Sequence, residues 1–146
     1  SYMIQDEDLQ EGDLRLLTVD NPLVIPANKN VQILITAGDV LHSWAVPSMG
    51  IKTDAVPGRL NETWVNVKEP GTYRGQCSEI CGTGHGFMPV VVKVLPENEF
   101  MAWVNEAKNN YAINEDIQPI TSSKNEEELV LSKNDVLKLE FEENKL

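Results

Sequence analysis

The chain has 146 residues, the length of one ordinary domain, of which 41% are hydrophobic and 24% are charged. This composition excludes a wholly disordered chain. Since 12 Lys and Arg stand against 23 Asp and Glu, the formal net charge is −11. Such an acidic chain is unsuited to nucleic-acid backbones, and it favours a basic partner or high solubility. No window approaches the roughly 18 consecutive apolar residues of a membrane-spanning helix.

Short strands separated by turns are predicted for most of the first hundred residues, because alternating or β-branched segments stop at Pro, Gly and Asn. Pro47–Arg59 holds two Pro and two Gly and predicts a long loop, and the glycines of residues 78–87 predict a second one. Pro96 followed by Glu97 and Glu99 predicts a helix over Phe100–Ala107. Many short strands predict a β-sandwich or barrel. The predicted strands are Leu14–Val19, Leu23–Ile25, Val31–Ala37, Val40–Val46, Thr63–Val67, Thr72–Gln76 and Pro89–Val94.

The C-terminal part differs in composition from the rest. Residues 104–146 hold five Lys and ten acidic residues, and every Cys, His, Trp and Gly lies before them. A solvated acidic extension is the favoured interpretation. The alternative is a docking segment for a partner subunit, because the extension has more apolar residues than a free tail needs. They are Leu129, Val130, Leu131, Leu137, Leu139 and Phe141.

Soft metal ligands are concentrated in one glycine-rich loop. The segment Cys77-Ser-Glu-Ile-Cys81-Gly-Thr-Gly-His85-Gly-Phe-Met88 contains both cysteines of the chain and one of its two histidines. Thiolates with imidazole select copper, zinc or iron–sulfur, and the thioether favours copper. A blue-copper site of one Cys, two His and one Met leaves a thiolate over, whereas two thiolates can bridge two coppers.

The second imidazole of such a site must come from His42, at the end of a predicted strand. Two alternatives remain open: a strained local disulfide between the two cysteines, and histidines that are ordinary surface or core residues. Both alternatives are less favoured than a metal site, because all the Cys and His residues of the chain fit one metal-binding pattern.

With the motif Cys77-Ser-Glu-Ile-Cys81-Gly-x-x-His85-x-x-Met88-Pro, the chain resembles the dinuclear copper A domain of cytochrome c oxidase subunit II. The resemblance is nearest the mitochondrial form and extends through the stretches around His42, Asp54 and Gly75. It covers about residues 1–104 and implies an all-β, cupredoxin-like Greek-key sandwich or barrel with a short helix after the last core strand. The usual subunit ends soon after this helix, so the acidic C-terminal extension over residues 105–146 departs from the family. We therefore predict a copper A domain over residues 1–104 and a separate extension over residues 105–146.

The resemblance also implies a role for each ligand. Cys77 and Cys81 bridge both coppers, His42 and Met88 complete one copper, and His85 completes the other together with the backbone carbonyl of Glu79. The Glu79 carboxylate helps to bind magnesium at the interface with subunit I. The acids Asp20 and Asp39 match positions that dock cytochrome c in this family.

The implied function is electron transfer from cytochrome c to heme in subunit I, with no oxygen chemistry in this chain itself. The expected location is the mitochondrial inner membrane complex, facing the intermembrane space, or the periplasmic side in a bacterium. The membrane-anchoring N-terminal half of the subunit is expected to be cut off or to be a separate polypeptide. The alternatives are the copper A domain of a nitrous oxide reductase-like protein, a zinc- or copper-storage protein, and a copper-delivery protein.

Overall fold

The computed structural model describes residues 1–111. Within them lie seven β-strands, three single-turn 3₁₀ segments and one α-helix, α1, over Glu97–Tyr111. The strands in chain order are β1 (Leu23–Pro26), β2 (Val31–Ile35), β3 (His42–Val46), β4 (Ile51–Ala55), β5 (Asn61–Val65), β6 (Gly71–Gln76) and β7 (Pro89–Leu95). The predicted all-β architecture with a helix after the last strand is confirmed.

The strands form a three-stranded sheet in the order β1-β7-β6 and two antiparallel pairs, β2 with β5 and β3 with β4. β7 runs parallel to β1 and antiparallel to β6. Because β7 is flanked on both edges and covered by the core, Val92 and Val94 are almost completely buried, at 0% and 1% exposure. The core continues through buried aliphatic residues of the other strands, among them Ile25, Val46, Ile51 and Val65.

One predicted loop contains a strand. Ile51–Ala55 forms β4 and pairs with β3, within the segment Pro47–Arg59 that was expected to be irregular. Ile51 and Ala55 are buried while Lys52 and Asp54 face solvent, which is the alternation of a half-buried strand. The prediction was wrong because the flanking Pro and Gly residues outweighed this short pattern. They form a 3₁₀ turn before the strand, and an isolated bridge at Pro57 and a turn at Gly58 after it.

The predicted strand Leu14–Val19 is also wrong. Residues 15–17 form a turn in which Leu16 has a φ of 66°, and the hydroxyl of Thr18 donates a hydrogen bond to the carbonyl of Leu14. Only Val19 makes a bridge, and its partner is Met3. The β-branched residues at the end of this segment suggested a strand, but the local side-chain hydrogen bond stabilises a turn instead.

The helix α1 is longer than the predicted Phe100–Ala107 and extends to Tyr111, whose hydroxyl donates a hydrogen bond to Asn21 Oδ1 at 3.2 Å. Lys29 pairs with Glu97 in its first turn at 3.1 Å. The predicted boundary at residue 104 lies within this helix, and the division of the chain into residues 1–104 and 105–146 stays a prediction. The apolar residues singled out in the acidic extension lie outside the described part. Within residues 1–111, no helix is long and apolar enough to cross a membrane.

Candidate metal centre

The predicted ligand loop connects two paired strands. β6 ends at Gln76, which pairs with Pro89, the first residue of β7. One further backbone hydrogen bond, from Cys77 N–H to the carbonyl of Met88 at 3.0 Å, closes the base of the loop. The first and last predicted ligands of the loop are therefore held side by side by the sheet itself.

A second contact joins the loop to β3. Gly75 lies against the backbone of Ala45 so closely that a Cβ at this position would overlap the Ala45 carbonyl. Beyond this contact, Ser78 N–H donates to the carbonyl of Ser43 at 3.0 Å. This approach of β6 to β3 brings Cys77 beside His42, the first residue of β3 and thirty-five positions away in sequence.

Six potential ligand atoms meet in one connected cluster. The Sγ atoms of Cys77 and Cys81 are 3.9 Å apart at its centre. Around Cys77 lie His42 Nδ1 at 3.8 Å and the Glu79 carbonyl oxygen at 3.3 Å. Around Cys81 lie His85 Nδ1 at 3.5 Å and Met88 Sδ at 3.6 Å. All six residues predicted as ligands are thus brought together, whereas their individual roles are not determined by these distances.

The spacing of these atoms fits metal binding. A tetrahedral ion holds thiolate sulfur at about 2.3 Å and imidazole nitrogen at about 2.0–2.1 Å, so its ligand atoms lie roughly 3.5–3.8 Å apart. The observed separations of 3.3–3.9 Å lie close to this range, and six donors exceed the four that one tetrahedral ion uses. The two cysteines are free, with a sulfur separation far beyond the roughly 2.05 Å of a disulfide. Two thiols, two imidazoles and a thioether form a soft donor set that fits copper.

The environment of the two thiols differs. Burial opposes ionisation of Cys77, but backbone hydrogen bonds at Glu79 and Ser43, together with the imidazoles of His42 and His85, outweigh it and lower the pKa of this thiol to about 6. Burial raises the pKa of Cys81, and the hydrogen bond and negative charge of Cys77 add to this effect. The negative charge of Asp39 contributes in the same direction. The Cys77 thiol therefore ionises more readily than an ordinary cysteine, even before any metal binds.

The structure gives Asp39 a contact that the sequence did not reveal. Its Oδ1 lies 2.8 Å from Nε2 of His42, the ring nitrogen that faces away from Cys77. This hydrogen bond raises the pKa of His42, with a smaller contribution from Cys77, and it also lowers the pKa of Asp39. The spacing of the two residues was only a weak signal for this contact. An acid three positions before a histidine ligand can equally be a surface charge that does not touch the histidine.

Asp20, the other predicted docking acid, lies at the start of an exposed turn. Its carboxylate accepts hydrogen bonds from the backbone N–H groups of Tyr2 and Asn21, and the first of these contributes most to lowering its pKa. The residue is exposed and therefore available to a basic partner. Trp44, two positions after His42, packs against the core and lines a cavity of about 400 Å³ that also reaches Cys77 and Met88.

A β-domain whose loop and strand ends assemble two thiols, two imidazoles and a thioether belongs to the class of cupredoxin-like metal-binding domains. A family model described as cytochrome c oxidase subunit II, periplasmic domain, matches residues 1–95. The chain therefore belongs to the cytochrome c oxidase subunit II family, and the resemblance drawn from its motifs is confirmed.

Individual relatives agree with this assignment. The chain is 57% identical over 114 residues to a probable cytochrome c oxidase subunit 2 of Rickettsia prowazekii, covering 78% of this chain and 36% of that protein. It is 57% identical over 105 residues to cytochrome c oxidase subunit 2 of Arabidopsis thaliana, covering 72% of this chain and 40% of that protein. The chain thus matches well under half the length of these relatives.

A solved structure also agrees. The crystal structure of the periplasmic domain of subunit II of cytochrome oxidase (CoxB) from Bradyrhizobium japonicum is 46% identical, with a TM-score of 0.69. The alignment covers 76% of this chain and 77% of that one. The predicted cupredoxin-like fold is confirmed by this similarity.

Proposed function

We propose that this chain is the electron-transfer module of a cytochrome c oxidase, built around a dinuclear copper A centre. The observation that supports it most is the connected cluster of six donor atoms with two cysteine sulfurs at its middle. When bound, the copper pair supplies a site that takes up and releases one electron at a time. Electrons enter from cytochrome c and leave to heme in subunit I.

The proposed ligand roles follow the family pattern residue by residue. By this pattern Cys77 and Cys81 would hold both coppers, and the position of their sulfurs at the centre of the donor cluster is compatible with it. His42 and Met88 would complete the ligands of one copper, and His85 and the Glu79 carbonyl those of the other.

The chain contributes rigidity around this centre. His42 begins β3, Cys77 follows β6 directly, and Met88 precedes β7, so strands fix these donors on three sides. The backbone hydrogen bonds that tie Cys77 to Met88 and Ser78 to Ser43 hold the loop to the strands. Donors held in this way move little when the charge at the site changes, which favours fast electron transfer over bond-making chemistry.

The partners follow from the same family assignment. We infer that subunit I contacts the metal loop and that the Glu79 carboxylate helps to bind magnesium at this interface. Cytochrome c docks near the exposed acids Asp20 and Asp39. Since the relatives are much longer than this chain, a membrane-anchoring N-terminal half is proposed to complete the subunit, either in the same polypeptide or as a separate one. The domain then faces the mitochondrial intermembrane space or the bacterial periplasm.

The proposed function is tested on the assembled oxidase by stopped-flow reduction with cytochrome c. We expect the wild-type complex to be reduced rapidly at the copper pair and then at heme, and the Cys81→Ser complex to lose the first of these phases. Equal kinetics in both complexes would contradict the proposal. The storage and delivery alternatives predict rapid loss of copper to a chelator, whereas a permanent centre retains it.

The role of Glu79 is tested by the Glu79→Gln variant of the same complex. Because the backbone carbonyl is unaffected by this change, the copper content should stay at the wild-type value. Magnesium affinity should decrease, because a neutral amide lacks the charge that a hard cation prefers. Unchanged magnesium content after dialysis would contradict the proposed magnesium contact.

A further inference from the structure

Both ring nitrogens of His42 are engaged, and by different kinds of group. Nδ1 faces the sulfur of Cys77 at 3.8 Å, and Nε2 lies 2.8 Å from the carboxylate of Asp39. A carboxylate accepts but does not donate, so this contact requires the proton to be on Nε2. In the neutral imidazole, Nδ1 then keeps its lone pair directed at the cluster, which is the state a metal ligand needs, whereas in the imidazolium Nδ1 donates its proton towards Cys77.

Asp39 and His42 differ sharply in exposure. The side chain of His42 is 18% exposed, whereas that of Asp39 is 72% exposed. The carboxylate therefore has one oxygen on a ligand of the centre and the rest of its surface in solvent. Within the described residues, His85, the other imidazole of the cluster, has no hydrogen-bonded carboxylate. Asp39 is thus a charged residue that contacts a ligand of the centre, His42, and solvent at the same time.

We propose that Asp39 is a positioning residue that orients His42 and sets the electron affinity of the metal centre, and that a cation docked on its exposed carboxylate raises that affinity. This inference rests on the proposed electron-transfer function. The Asp39 carboxylate then has two effects. It orients His42, and it makes the electron affinity of the centre respond to a basic partner.

The direction of the effect follows from charge. A carboxylate that accepts the second N–H of a ligating histidine fixes the ring and makes it a stronger donor. A stronger donor and a nearby negative charge both favour the oxidised state of the metal, so they lower the reduction potential. Removing the charge, or placing an ammonium group against it, weakens both effects. The centre should then become easier to reduce while a basic partner is docked.

The test uses the full 146-residue chain loaded with copper and compares wild type with Asp39→Asn and Asp39→Ala. The Asn variant keeps an oxygen acceptor for Nε2–H but removes the charge, whereas the Ala variant removes both. The matched control is Asp13→Asn, which makes the same charge change at an exposed carboxylate bonded to the backbone N–H of Gln10. Potentials are measured electrochemically, without cytochrome c, in low salt, with and without pentalysine.

We expect the equilibrium constant for reduction to increase about tenfold in Asp39→Asn, which is 59 mV for a one-electron couple. Pentalysine should raise the potential of wild type and of Asp13→Asn, and have little effect on Asp39→Asn. In Asp39→Ala we expect the copper affinity to fall about 10–100-fold, as for other groups that support a histidine ligand. Equal potentials for wild type and Asp39→Asn, or an equal shift in Asp13→Asn, would contradict the proposal.

A second readout needs no metal. In the metal-free chain, ¹⁵N NMR should show His42 protonated on Nε2 when neutral in wild type and in Asp39→Asn, and a mixture of tautomers in Asp39→Ala. The same tautomer distribution in all three proteins would exclude the positioning role. Failure of the chain to bind copper would overturn the proposed function but leave this NMR result standing, so the two failures are distinguishable.

Discussion

At the scale of single residues, the centre is organised around one sulfur atom. Cys77 has the lower pKa of the two thiols because backbone hydrogen bonds and two imidazoles outweigh the cost of its burial. Cys81 keeps its proton to higher pH, because burial raises its pKa and the hydrogen bond and negative charge of Cys77 add to this effect. The metal-free site therefore holds one thiolate and one thiol at neutral pH, and metal binding releases the second proton.

This difference predicts the pH dependence of alkylation in the metal-free chain. The thiolate is the reactive form, and a lowered pKa keeps Cys77 ionised down to about pH 6. The iodoacetamide reaction of the Cys81→Ser variant should therefore reach half its maximal rate near pH 6. In the Cys77→Ser variant, the remaining thiol should require a far more alkaline solution. Mass spectrometry measures both rates, and the same half-maximal pH in both variants would be inconsistent with the assigned environments.

The proposed bridging role of the two thiolates predicts different results for two substitutions in the loop. Cys81→Ser replaces a sulfur ligand by a hard oxygen, so the chain should lose the dinuclear site. Met88→Leu removes only a weak thioether ligand whose residue is 39% exposed, so two coppers should remain and the reduction potential should shift. Copper analysis with optical spectra checks both, and a Cys81→Ser protein with two coppers and an unchanged spectrum would exclude bridging.

At the scale of elements, the site depends on the approach of β6 to β3. The ligand loop is the connection between β6 and β7, and it meets His42 only because Gly75 lies against the backbone of Ala45. No side chain fits there, since its Cβ would overlap a backbone carbonyl that the paired strands hold in place. This glycine is required by a close approach of two strands rather than by an unusual φ.

Gly75→Ala should therefore be strongly destabilising. Overpacking of this kind typically costs about 1–3 kcal/mol in the free energy of unfolding, occasionally more. Copper binding should weaken as well, because Cys77 is displaced from His42. The matched control is Gly84→Ala in the ligand loop, where φ is −83° and an added Cβ meets nothing within 4 Å. Urea denaturation measures both variants, and equal stability would contradict the proposed contact.

The sequence predicted most strands and the ligand set, and it missed features that local pattern does not determine. Five of the six ligands were found because Cys, His and Met are scarce in this chain and fit one metal-binding pattern, and Glu79 was found through the resemblance to a family. β4 was missed because its short alternation lies between Pro and Gly residues. The bond between Asp39 and His42 was missed because nothing local distinguishes an exposed acid on a ligand from one in solvent.

At the scale of the whole molecule, the dominant property is acidity. The formal net charge is −11 over 146 residues. The candidate metal site lies where β3 and β7 begin and β6 ends. Transient complexes of this kind use charge to raise the encounter rate more than the final affinity. The effective range of that charge decreases from about 30 Å at 0.01 M salt to about 8 Å at 0.15 M. A basic cytochrome c should therefore react more slowly as salt is added.

Asp20→Asn tests this docking without changing the metal ligands. The Asn oxygen can still accept the backbone hydrogen bonds of Tyr2 and Asn21, so the local turn should be kept while one negative charge is lost. In the assembled oxidase, the bimolecular rate with cytochrome c at low salt should fall and its salt dependence should flatten, with an unchanged optical spectrum. The same rates and salt slopes as wild type would show that Asp20 is only a solvated surface charge.

The most direct test of the copper A assignment is the electron paramagnetic resonance spectrum of the reconstituted chain together with its metal content. Two equivalent copper nuclei that share one unpaired electron give seven hyperfine lines. We expect this pattern with two coppers per chain, and its loss in Cys81→Ser. A four-line spectrum with one copper, or a silent protein that contains zinc, would contradict the dinuclear centre.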